Sequence, residues 1–504
     1  MTNQELESSN PIKRLLSGAI QYSIAGILAR GLTLVSVPLY LTYLTADEFG
    51  IQSIAVLNEL ILMILAGYAI VNAMGRFYSE TLRTGEGQGA VVGSAMIGLV
   101  ATSVIFIILW QIFVVPIAHV TLDTRPENIL ITRLVGISFV ATIFFDLALA
   151  VWQLDQQIIA YASGYIIKSA ASLGLGLLFV AVFDMGPLGV VLGMTLASLL
   201  TGAFSVIWLV RRFDLRYEWD MLKRMGRYGL PLVPAAIITV GMNGADRYLL
   251  KTLDSFEAAG VFSVIYMLAN AANMVFINPF KQIWTPTMWR MRLREDEKDF
   301  HRRTMVYFTA FQFYIITGLV VYGDLAVDIL SRGKIEFTMV ALAAPLLYLG
   351  FTFYGAYEIF SAGYFFENQT HFYTITVIVA TTASIVLNVL LIPLLGVWGS
   401  AIAFCFSYFV LALLSYIFGR RFFRVDHNWG RILKAILINA GLAAAALIAR
   451  QIGSYWVGIA AAVPIVASYP WLMLLLFFSQ EERQMARNYL VRFNPTLARF
   501  IPGS

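Results

Sequence analysis

The sequence contains little charge and almost no cysteine. Charged residues make up 13% of its 504 residues and hydrophobic residues 59%, and the mean hydropathy is +0.76. Soluble domains typically contain about 25% charged residues, so this composition excludes a water-soluble fold of this length. Cys405 stands alone in an apolar run, which excludes disulfides and argues against redox chemistry.

Catalytic signatures are missing as well. The four histidines lie in loops or at the ends of apolar runs and form no metal-ligand cluster, and no Walker loop is present. No polar segment is long enough to fold as a soluble catalytic domain. We therefore predict a protein that is not an enzyme, with no catalytic residue, resident metal or cofactor. A polytopic ligase is the weaker alternative.

Long apolar runs dominate the sequence instead. A helix needs about 20 predominantly apolar residues to cross the roughly 30 Å of hydrocarbon in a bilayer. The runs that reach this length are residues 15–43, 50–74, 88–115, 128–151, 158–182, 187–210, 229–250, 258–282, 304–323, 338–364, 371–393, 396–419, 432–449 and 455–478. The sequence therefore predicts an all-α integral membrane protein with 14 transmembrane helices. The first eleven residues are polar and no small-residue cleavage site follows the first run, so no signal peptide is expected.

The lysines and arginines orient these helices. If the N-terminus is cytoplasmic, the inner loops and tails hold 26 of the 35 positive residues and the outer loops hold six. Because cytoplasmic loops of membrane proteins are enriched in lysine and arginine, both termini are predicted to be cytoplasmic. The net charge of +5 then reflects topology and contact with anionic membrane lipids, and no nucleic-acid partner is expected.

One short pattern occurs twice. "LTADEFG" ends at Gly50 and "LDSFEAAG" ends at Gly260, an offset of 210, and both join apolar runs on the predicted outer side. The glycine allows a tight turn, and Asp47 and Glu48 suit the N-terminus of the helix that follows. We interpret the motif as a structural hairpin.

Further matches have nearly the same spacing. Gly189 matches Gly396 at an offset of 207, and Arg-Arg-Phe occurs at residues 211–213 and again at 420–422. The pattern predicts two parallel six-helix repeats followed by two extra helices. The corresponding units are an N-lobe (1–213), a C-lobe (214–424) and helices 13 and 14 with a cytoplasmic tail (425–504). Transporters built from such repeats bind substrate between the halves, so we expect the lobes to surround a central cavity.

Four stretches within these repeats carry a family resemblance. They are "PLYLTYLTADEFGIQS", "DRYLLKTLDSFEAAGVFSVIYML", "NPFKQIWTPTMW" and "LIPLLGVWGSAIAFCFSYFVLALLSYIFGRRF". Together they resemble the polysaccharide transporters, or Wzx-type oligosaccharide flippases, of the multidrug/oligosaccharidyl-lipid/polysaccharide (MOP) exporter superfamily. The resemblance covers most of residues 12–424 and weakens over the last two helices.

The resemblance implies a function. Such proteins carry an undecaprenyl-diphosphate-linked oligosaccharide from the cytoplasmic to the outer leaflet of a bacterial plasma (inner) membrane, by alternating access of a V-shaped pair of lobes. The expected partners are this lipid-linked oligosaccharide, membrane lipids and the polysaccharide polymerase or export machinery. The sugar itself does not follow from the resemblance.

A diphosphate headgroup needs a wet, cationic cavity, and polar residues inside spans are costly enough to be functional candidates. The candidate ligands of the diphosphate and sugar are Arg30, Lys168, Arg247, Asn270 and Asn273. Arg30 leads because it lies midway along the first span and because a guanidinium can bind two phosphate oxygens at once. The alternatives are an internal ion pair for Arg30, snorkelling for Lys168, packing for Arg247, and helix-to-helix hydrogen bonds for the two amides.

Other charged residues suggest coupling and substrate capture. Glu59, Asp146, Asp246 and Glu358 lie within spans and are candidates for H⁺ or Na⁺ coupling, although Glu59 could instead pair with Arg30. Coupling to the membrane potential alone also remains open. The candidate basic residues at the cytoplasmic mouth are Arg76, Lys281 and Arg290, for which positive-inside topology is the alternative explanation.

Two other functions remain open at this point. A multidrug or cation exporter of the same superfamily would need a buried acid, which Glu59 supplies, and few fixed cations, which Arg30 and Lys168 argue against. A flippase for lipid II or a teichoic-acid precursor would use the same diphosphate chemistry and cannot be separated by sequence.

Overall fold

A computed structural model describes residues 34–84, 87–292, 294–338, 340–367, 369 and 371–484. Every regular element in these ranges is a helix. The long helices, labelled α1 to α14, are α1 (34–40, its described part), α2 (Ala46–Thr81), α3 (Gln88–Ile112), α4 (Pro126–Leu154), α5 (Ile158–Ala181), α6 (Gly186–Arg212), α7 (Trp219–Leu253), α8 (Phe256–Met291), α9 (Glu297–Ser331), α10 (Ala343–Phe360), α11 (His371–Leu395), α12 (Val397–Phe422), α13 (Trp429–Ala449) and α14 (Tyr455–Phe477). Short helices cover Val114–Thr121, Ile335–Thr338 and Ala362–Phe366.

Twelve of these helices are long and apolar enough to cross a membrane within the described residues. They are α2 to α9 and α11 to α14, so the protein is a multi-pass, all-helical membrane protein. The other two predicted spans are α10, which is not among the twelve, and the first span, most of which lies outside the described residues.

Two predicted loops are wrong. Residues 211–228 were expected to be a loop, but α7 begins at Trp219, well before the predicted span. Residues 283–303 were also expected to be a loop, but α8 continues to Met291 and α9 begins at Glu297.

The larger difference is in the first of these loops, at the segment Trp219–Gly229. This first segment is amphipathic: Met221 and Met225 are buried while its charged residues face outward. Its low mean hydropathy hides it from a search for apolar runs, although its helical period is clear.

Helices of the two halves pack in matching ways. In the N-terminal half, α6 packs against α4 and α5, and in the C-terminal half α12 packs against α10 and α11. Likewise α2 packs against α4, and α8 against α10. Between the halves, the first part of α2 packs along the first part of α8.

The helices α2 and α8 also share local features. Thr45 and Ser255 are their N-caps, and each side chain accepts a hydrogen bond from a backbone N–H in the first turn. Thr45 forms a full capping box with Glu48, which confirms the structural interpretation of that acid. Each helix then passes through a π-helical turn, at Ile64–Tyr68 in α2 and at Asn273–Ile277 in α8. The two turns therefore occupy corresponding places in the two halves.

The glycines that end the two copies of the repeated motif, Gly50 and Gly260, lie where α2 and α8 touch. A Cβ atom on Gly50 would lie 2.0 Å from the backbone oxygen of Phe256, and a Cβ on Gly260 would lie 2.0 Å from the backbone oxygen of Ala46. No side chain fits at either position, so both glycines are required for the close approach of α2 and α8.

On the predicted outer side, hydrogen bonds also join the two halves. Arg332 Nε donates to the carbonyl of Pro38 (2.9 Å), and Lys334 Nζ donates to the carbonyl of Leu44 (2.6 Å). The Tyr248 hydroxyl donates to Asn58 Oδ1 (2.8 Å). The two halves are thus closed against each other at the predicted outer side.

The structure shifts one of the sequence matches by a helical turn. Gly396, before α12, has φ +53°, and Gly186, at the start of α6, has φ +51°. These two share a positive φ, and their offset equals that of Gly50 and Gly260, so the pairing of Gly189 with Gly396 was wrong. Gly189 instead aligns with Gly399.

One ion pair and one hydrogen bond to a second ion pair connect the last two helices to α9. Arg450, after α13, binds Asp324 through two hydrogen bonds of 2.8 and 2.6 Å. Arg431 likewise binds Glu482, which follows α14 and also accepts a hydrogen bond from Tyr307. Burial alone would raise the pKa of Glu482, but these hydrogen bonds and one from the Ser479 backbone lower it to about 2.

Candidate functional site

A cavity of about 470 Å³ lies among helices of the C-terminal half. We call it the aromatic cavity; α7, α8, α10, α11 and α12 all contribute to its wall. Its volume is within the range of about 300–1,000 Å³ found for small-molecule sites.

Nine of the twenty residues that line this cavity are aromatic, and the sequence analysis missed them. They are Tyr266, Trp284, Trp289, Phe351, Tyr354, Tyr357, Phe365, Tyr373 and Tyr408. Tyr354 and Tyr357 are stacked, with ring centroids 5.8 Å apart and planes within 7°. Their flat faces and hydroxyls suit a ligand that has both apolar C–H faces and polar groups. A partial signal was present in "NPFKQIWTPTMW", which contains both tryptophans.

Two predicted amides lie in the same wall. Asn273 Nδ2 donates to Asn270 Oδ1 (3.0 Å), and both line the aromatic cavity. Asn273 is 7% exposed, and its Oδ1 has no hydrogen-bond partner among the described residues. It begins the π-helical turn of α8, and such turns are frequent at functional sites.

Two residues that were assigned separate roles form an ion pair. Lys281 Nζ lies 2.8 Å from the Glu358 carboxylate and donates a hydrogen bond to the Tyr354 hydroxyl (2.5 Å). Glu358 lines the aromatic cavity, so the pair lies at its wall. The partnership joins α8 to α10, which the whole of α9 separates in the sequence.

A second cavity, of about 430 Å³, lies between the two halves. We call it the junction cavity, because α2 lines one side and α7 and α8 line the other. Thr239, Asn243 and Tyr266 line both cavities, so the two adjoin.

Arg247 is the one charged residue that lines the junction cavity among the described residues. It is 7% exposed, and its Nε donates to Ser263 Oγ (3.0 Å). Its guanidinium lies 4.5 Å from the centroid of the Tyr266 ring. A buried cation at the meeting point of two cavities is suited to an anionic part of a ligand.

Asp246 points elsewhere, as expected for neighbours on a helix. Asn388 Nδ2 on α11 donates to Asp246 Oδ1 (2.8 Å), and Ser400 Oγ on α12 donates to Asn388 Oδ1 (2.8 Å). Asp246 Oδ2 is buried and has no hydrogen-bond partner among the described residues. The carboxylate thus joins three helices in a polar cluster apart from both cavities.

The other predicted charges meet in the N-terminal half. The Glu59 carboxylate accepts hydrogen bonds from Ser138 (2.7 Å) and Thr142 (2.9 Å), and Lys168 Nζ donates to Thr142 Oγ1 (3.1 Å). Asp146 interacts electrostatically with both Lys168 and Glu59. This network links α2, α4 and α5, and none of its charged members lines the two cavities described above.

Arg76 and Arg290 lie elsewhere, and one predicted residue cannot be placed. Arg30 is outside the described residues. Arg76 forms an ion pair with Glu80 (3.4 Å), and its guanidinium lies 4.7 Å from the Tyr228 ring. Arg290 is exposed on α8, and neither arginine lines the two cavities.

Comparison with solved structures identifies the class of fold. A structure titled "Lipid II flippase MurJ, inward closed conformation" matches with a TM-score of 0.74 at 13% identity, over 90% of this chain and 98% of that one. An inward-facing multidrug resistance MATE family transporter of the MOP superfamily matches with a TM-score of 0.63 at 15% identity, over 83% and 98%. A MATE protein in complex with MaL6 gives 0.59 at 14% identity, over 83% and 96%. The chain therefore has the fold of MOP-superfamily membrane transporters.

The family follows from the sequence comparison. The family described as "Polysaccharide biosynthesis protein" matches residues 15–292, more than half of the chain, and the protein belongs to this family. Within the described residues it has the 12 candidate spans of a multi-pass membrane protein. None of the curated proteins matches it.

Proposed function

We propose that the protein is a flippase that moves a polyprenyl (undecaprenyl) diphosphate-linked oligosaccharide from the cytoplasmic to the outer leaflet by alternating access, for export of a surface polysaccharide. The observation that carries the proposal is the aromatic cavity, whose rings and amides suit sugar C–H faces and hydroxyls. Membership of the polysaccharide biosynthesis family supports it. The protein would act in the bacterial plasma membrane alongside polymerase and export machinery, with both termini cytoplasmic, and would not be an enzyme.

The proposed architecture has 14 spans, α1 to α14, in two parallel six-helix lobes with two helices appended. The equivalent caps and π-helical turns of α2 and α8 support the repeat, as does the contact of Gly50 with Gly260 across the lobes. Lobes of residues 1–213 and 214–424 agree with the packing of α6 on α4 and α5, and of α12 on α10 and α11.

In this arrangement the substrate enters from the cytoplasmic side. The close contact of α2 with α8 and the bonds made by Arg332 and Lys334 hold the outer side closed. The later parts of α2 and α8, at residues 69–81 and 278–291, form no packed interface among the described residues. Lys281 and Arg290 lie on this later part of α8, toward the cytoplasmic mouth that we propose.

Arg247 is the best-placed candidate for the diphosphate, because it lines the junction cavity next to the aromatic cavity. Arg30 remains a candidate from sequence. Lys168, in contrast, is held by Thr142 in the network with Glu59, which suits a role in coupling rather than in direct binding. Asp246, with its unpartnered oxygen, is the second proposed site for H⁺ or Na⁺ coupling.

Transport in proteoliposomes tests the proposal. Wild-type protein should move a fluorescent polyprenyl-diphosphate oligosaccharide into the leaflet reached by a membrane-impermeant quencher. Trp289 lines the aromatic cavity and is 43% exposed, so Trp289→Ala should fold normally yet lose ring stacking. A loss of about 1.4 kcal/mol corresponds to a tenfold lower rate at subsaturating substrate.

The matched control is Trp456→Ala, since Trp456 is 68% exposed on α14 and does not line either cavity. Its transport should equal that of the wild type. Export of an organic cation such as ethidium by the wild type, with no movement of the lipid-linked oligosaccharide, would contradict the flippase and favour the cation exporter.

A further inference from the structure

We infer that the aromatic cavity selects an uncharged glycan, rich in hydroxyl groups and without carboxylate or phosphate substituents. The inference rests on the proposed function and adds the substrate class that it leaves open. Three features of the cavity carry it: its charge balance, the pairing of two cations beside its wall, and one unpartnered acceptor atom.

The charge balance of the wall is zero among the described residues. Glu358 is the one charged side chain that lines the aromatic cavity, and Lys281 neutralises it at 2.8 Å. The Lys281 ammonium is occupied further by the Tyr354 hydroxyl and by the face of that ring, 4.0 Å from its centroid. An acidic sugar would therefore meet the Glu358 carboxylate without a free cation to offset the repulsion and its own lost hydration.

A second cation beside the aromatic wall is also paired. Arg292 follows α8, and its guanidinium lies 5.9 Å from the ring centroid of Trp289, which lines the cavity. Its Nη2 lies 3.7 Å from the carboxylate of Glu367. Lys281 and Arg292, two cations in contact with rings of the aromatic wall, are thus each matched by an acid. Arg290 is exposed and does not line the cavity.

The unpartnered acceptor favours hydroxyl groups. Asn273 Oδ1 is buried, belongs to a residue that lines the cavity, and has no donor among the described residues. A buried acceptor left without a donor costs about 1–3 kcal/mol, so a ligand that donates to it gains binding energy. A sugar hydroxyl can donate, whereas an ionised carboxylate or phosphate can only accept.

The two cavities then divide one headgroup between them. The glycan occupies the aromatic cavity, and the anionic diphosphate lies toward Arg247 in the junction cavity. Asn243 lines both cavities and accepts a hydrogen bond from Tyr408 (2.7 Å), so it marks the boundary between neutral and anionic parts. Selection against charge therefore acts on the sugar and not on the diphosphate.

A pair of substrates tests this selection. Two fluorescent polyprenyl-diphosphate oligosaccharides are compared that differ only in one residue, a hexose in the first and the matching hexuronate in the second. Wild-type protein in proteoliposomes should transport the neutral lipid at least tenfold faster. Equal transport, or faster transport of the hexuronate lipid, would overturn the inference while leaving the proposed function intact.

Variants of the Lys281–Glu358 ion pair test whether this pair causes the selection against an acidic sugar. Glu358→Gln leaves the Lys281 ammonium without its carboxylate, so transport of the hexuronate lipid should rise at least fivefold relative to the neutral lipid. The double variant Lys281→Gln/Glu358→Gln removes both charges and should restore the preference for the neutral lipid. Unchanged selectivity in the single variant would overturn the role of this ion pair, and the wild-type comparison stands even if that variant fails to fold.

Failure of the proposed function would give a different experimental result from failure of this inference alone. If the wild type moves neither lipid under any ion gradient, both the flippase and the inference built on it are overturned.

Discussion

Gly260→Ala is expected to lower transport at least tenfold and to open the predicted outer side. The new Cβ would lie 2.0 Å from the backbone oxygen of Ala46 and 2.9 Å from the backbone nitrogen of Gly50. Both neighbours are backbone atoms and cannot rotate away, so α8 must separate from α2. Overpacking of this kind costs about 1–3 kcal/mol. A cost of about 1.4 kcal/mol already shifts an equilibrium between closed and open states tenfold.

Cysteine labelling measures this opening. Leu60 lines the junction cavity, so Leu60→Cys in a Cys405→Ala background reports access to that cavity. An impermeant maleimide added on the outer side should label Gly260→Ala at least ten times faster than the parent. Gly75→Ala is the control on α2, because its Cβ would meet no atom within 4 Å. Labelling that is equally slow in Gly260→Ala and in the parent would contradict the closed contact.

Arg247→Gln should reduce transport of the lipid-linked oligosaccharide by about 10- to 100-fold. A hydrogen bond to a charged group contributes about 1.5–3 kcal/mol, and a guanidinium can offer two to a diphosphate. Because the glutamine amide keeps a donor, the loss corresponds to about one such bond. Arg247→Lys keeps the positive charge but loses the planar fork of donors, so its transport rate should lie between those of the wild type and Arg247→Gln. The control Arg133→Gln removes an exposed arginine of α4 and should leave transport unchanged.

A competition experiment separates ligand binding from packing. Polyprenyl diphosphate without sugar should inhibit the wild type, and about tenfold more of it should be needed for Arg247→Gln. If Arg247 only holds α7 to α8 through Ser263, the variant will lose thermal stability while its inhibition profile stays the same.

The spans could be predicted because hydropathy and length leave few alternatives in a bilayer. The segment Trp219–Gly229 escaped because its charges lower the mean hydropathy, while the two buried methionines carry its helical period. The predicted alignment of Gly189 with Gly396 was wrong by about one helical turn. The sequence does not reveal which glycine has a positive φ, and that glycine is Gly186. Gly50 and Gly260 were found by their spacing, but their contact across the halves is a tertiary fact.

The candidate site was harder to predict. Charged residues stand out in apolar sequence, which is why Arg247, Lys281 and Glu358 were named. Aromatic residues do not stand out in this way, because a single sequence does not distinguish a tyrosine that faces a cavity from one that faces lipid. Lys281 and Glu358 are distant in sequence, and each was predicted to act as a free charge. The packing of α8 on α10 brings them together as an ion pair, which a single sequence does not reveal.

Photo-crosslinking of the headgroup tests the central claim most directly. A polyprenyl-diphosphate oligosaccharide with a photoreactive group on its terminal sugar is bound to the intact protein, irradiated and mapped by mass spectrometry. The account predicts crosslinks in the peptides that contain Trp284, Trp289, Tyr354 and Tyr373, which wall the aromatic cavity. Crosslinks confined to the N-terminal half, or to the groove between α9 and α14 at Tyr314 and Tyr469, would contradict it.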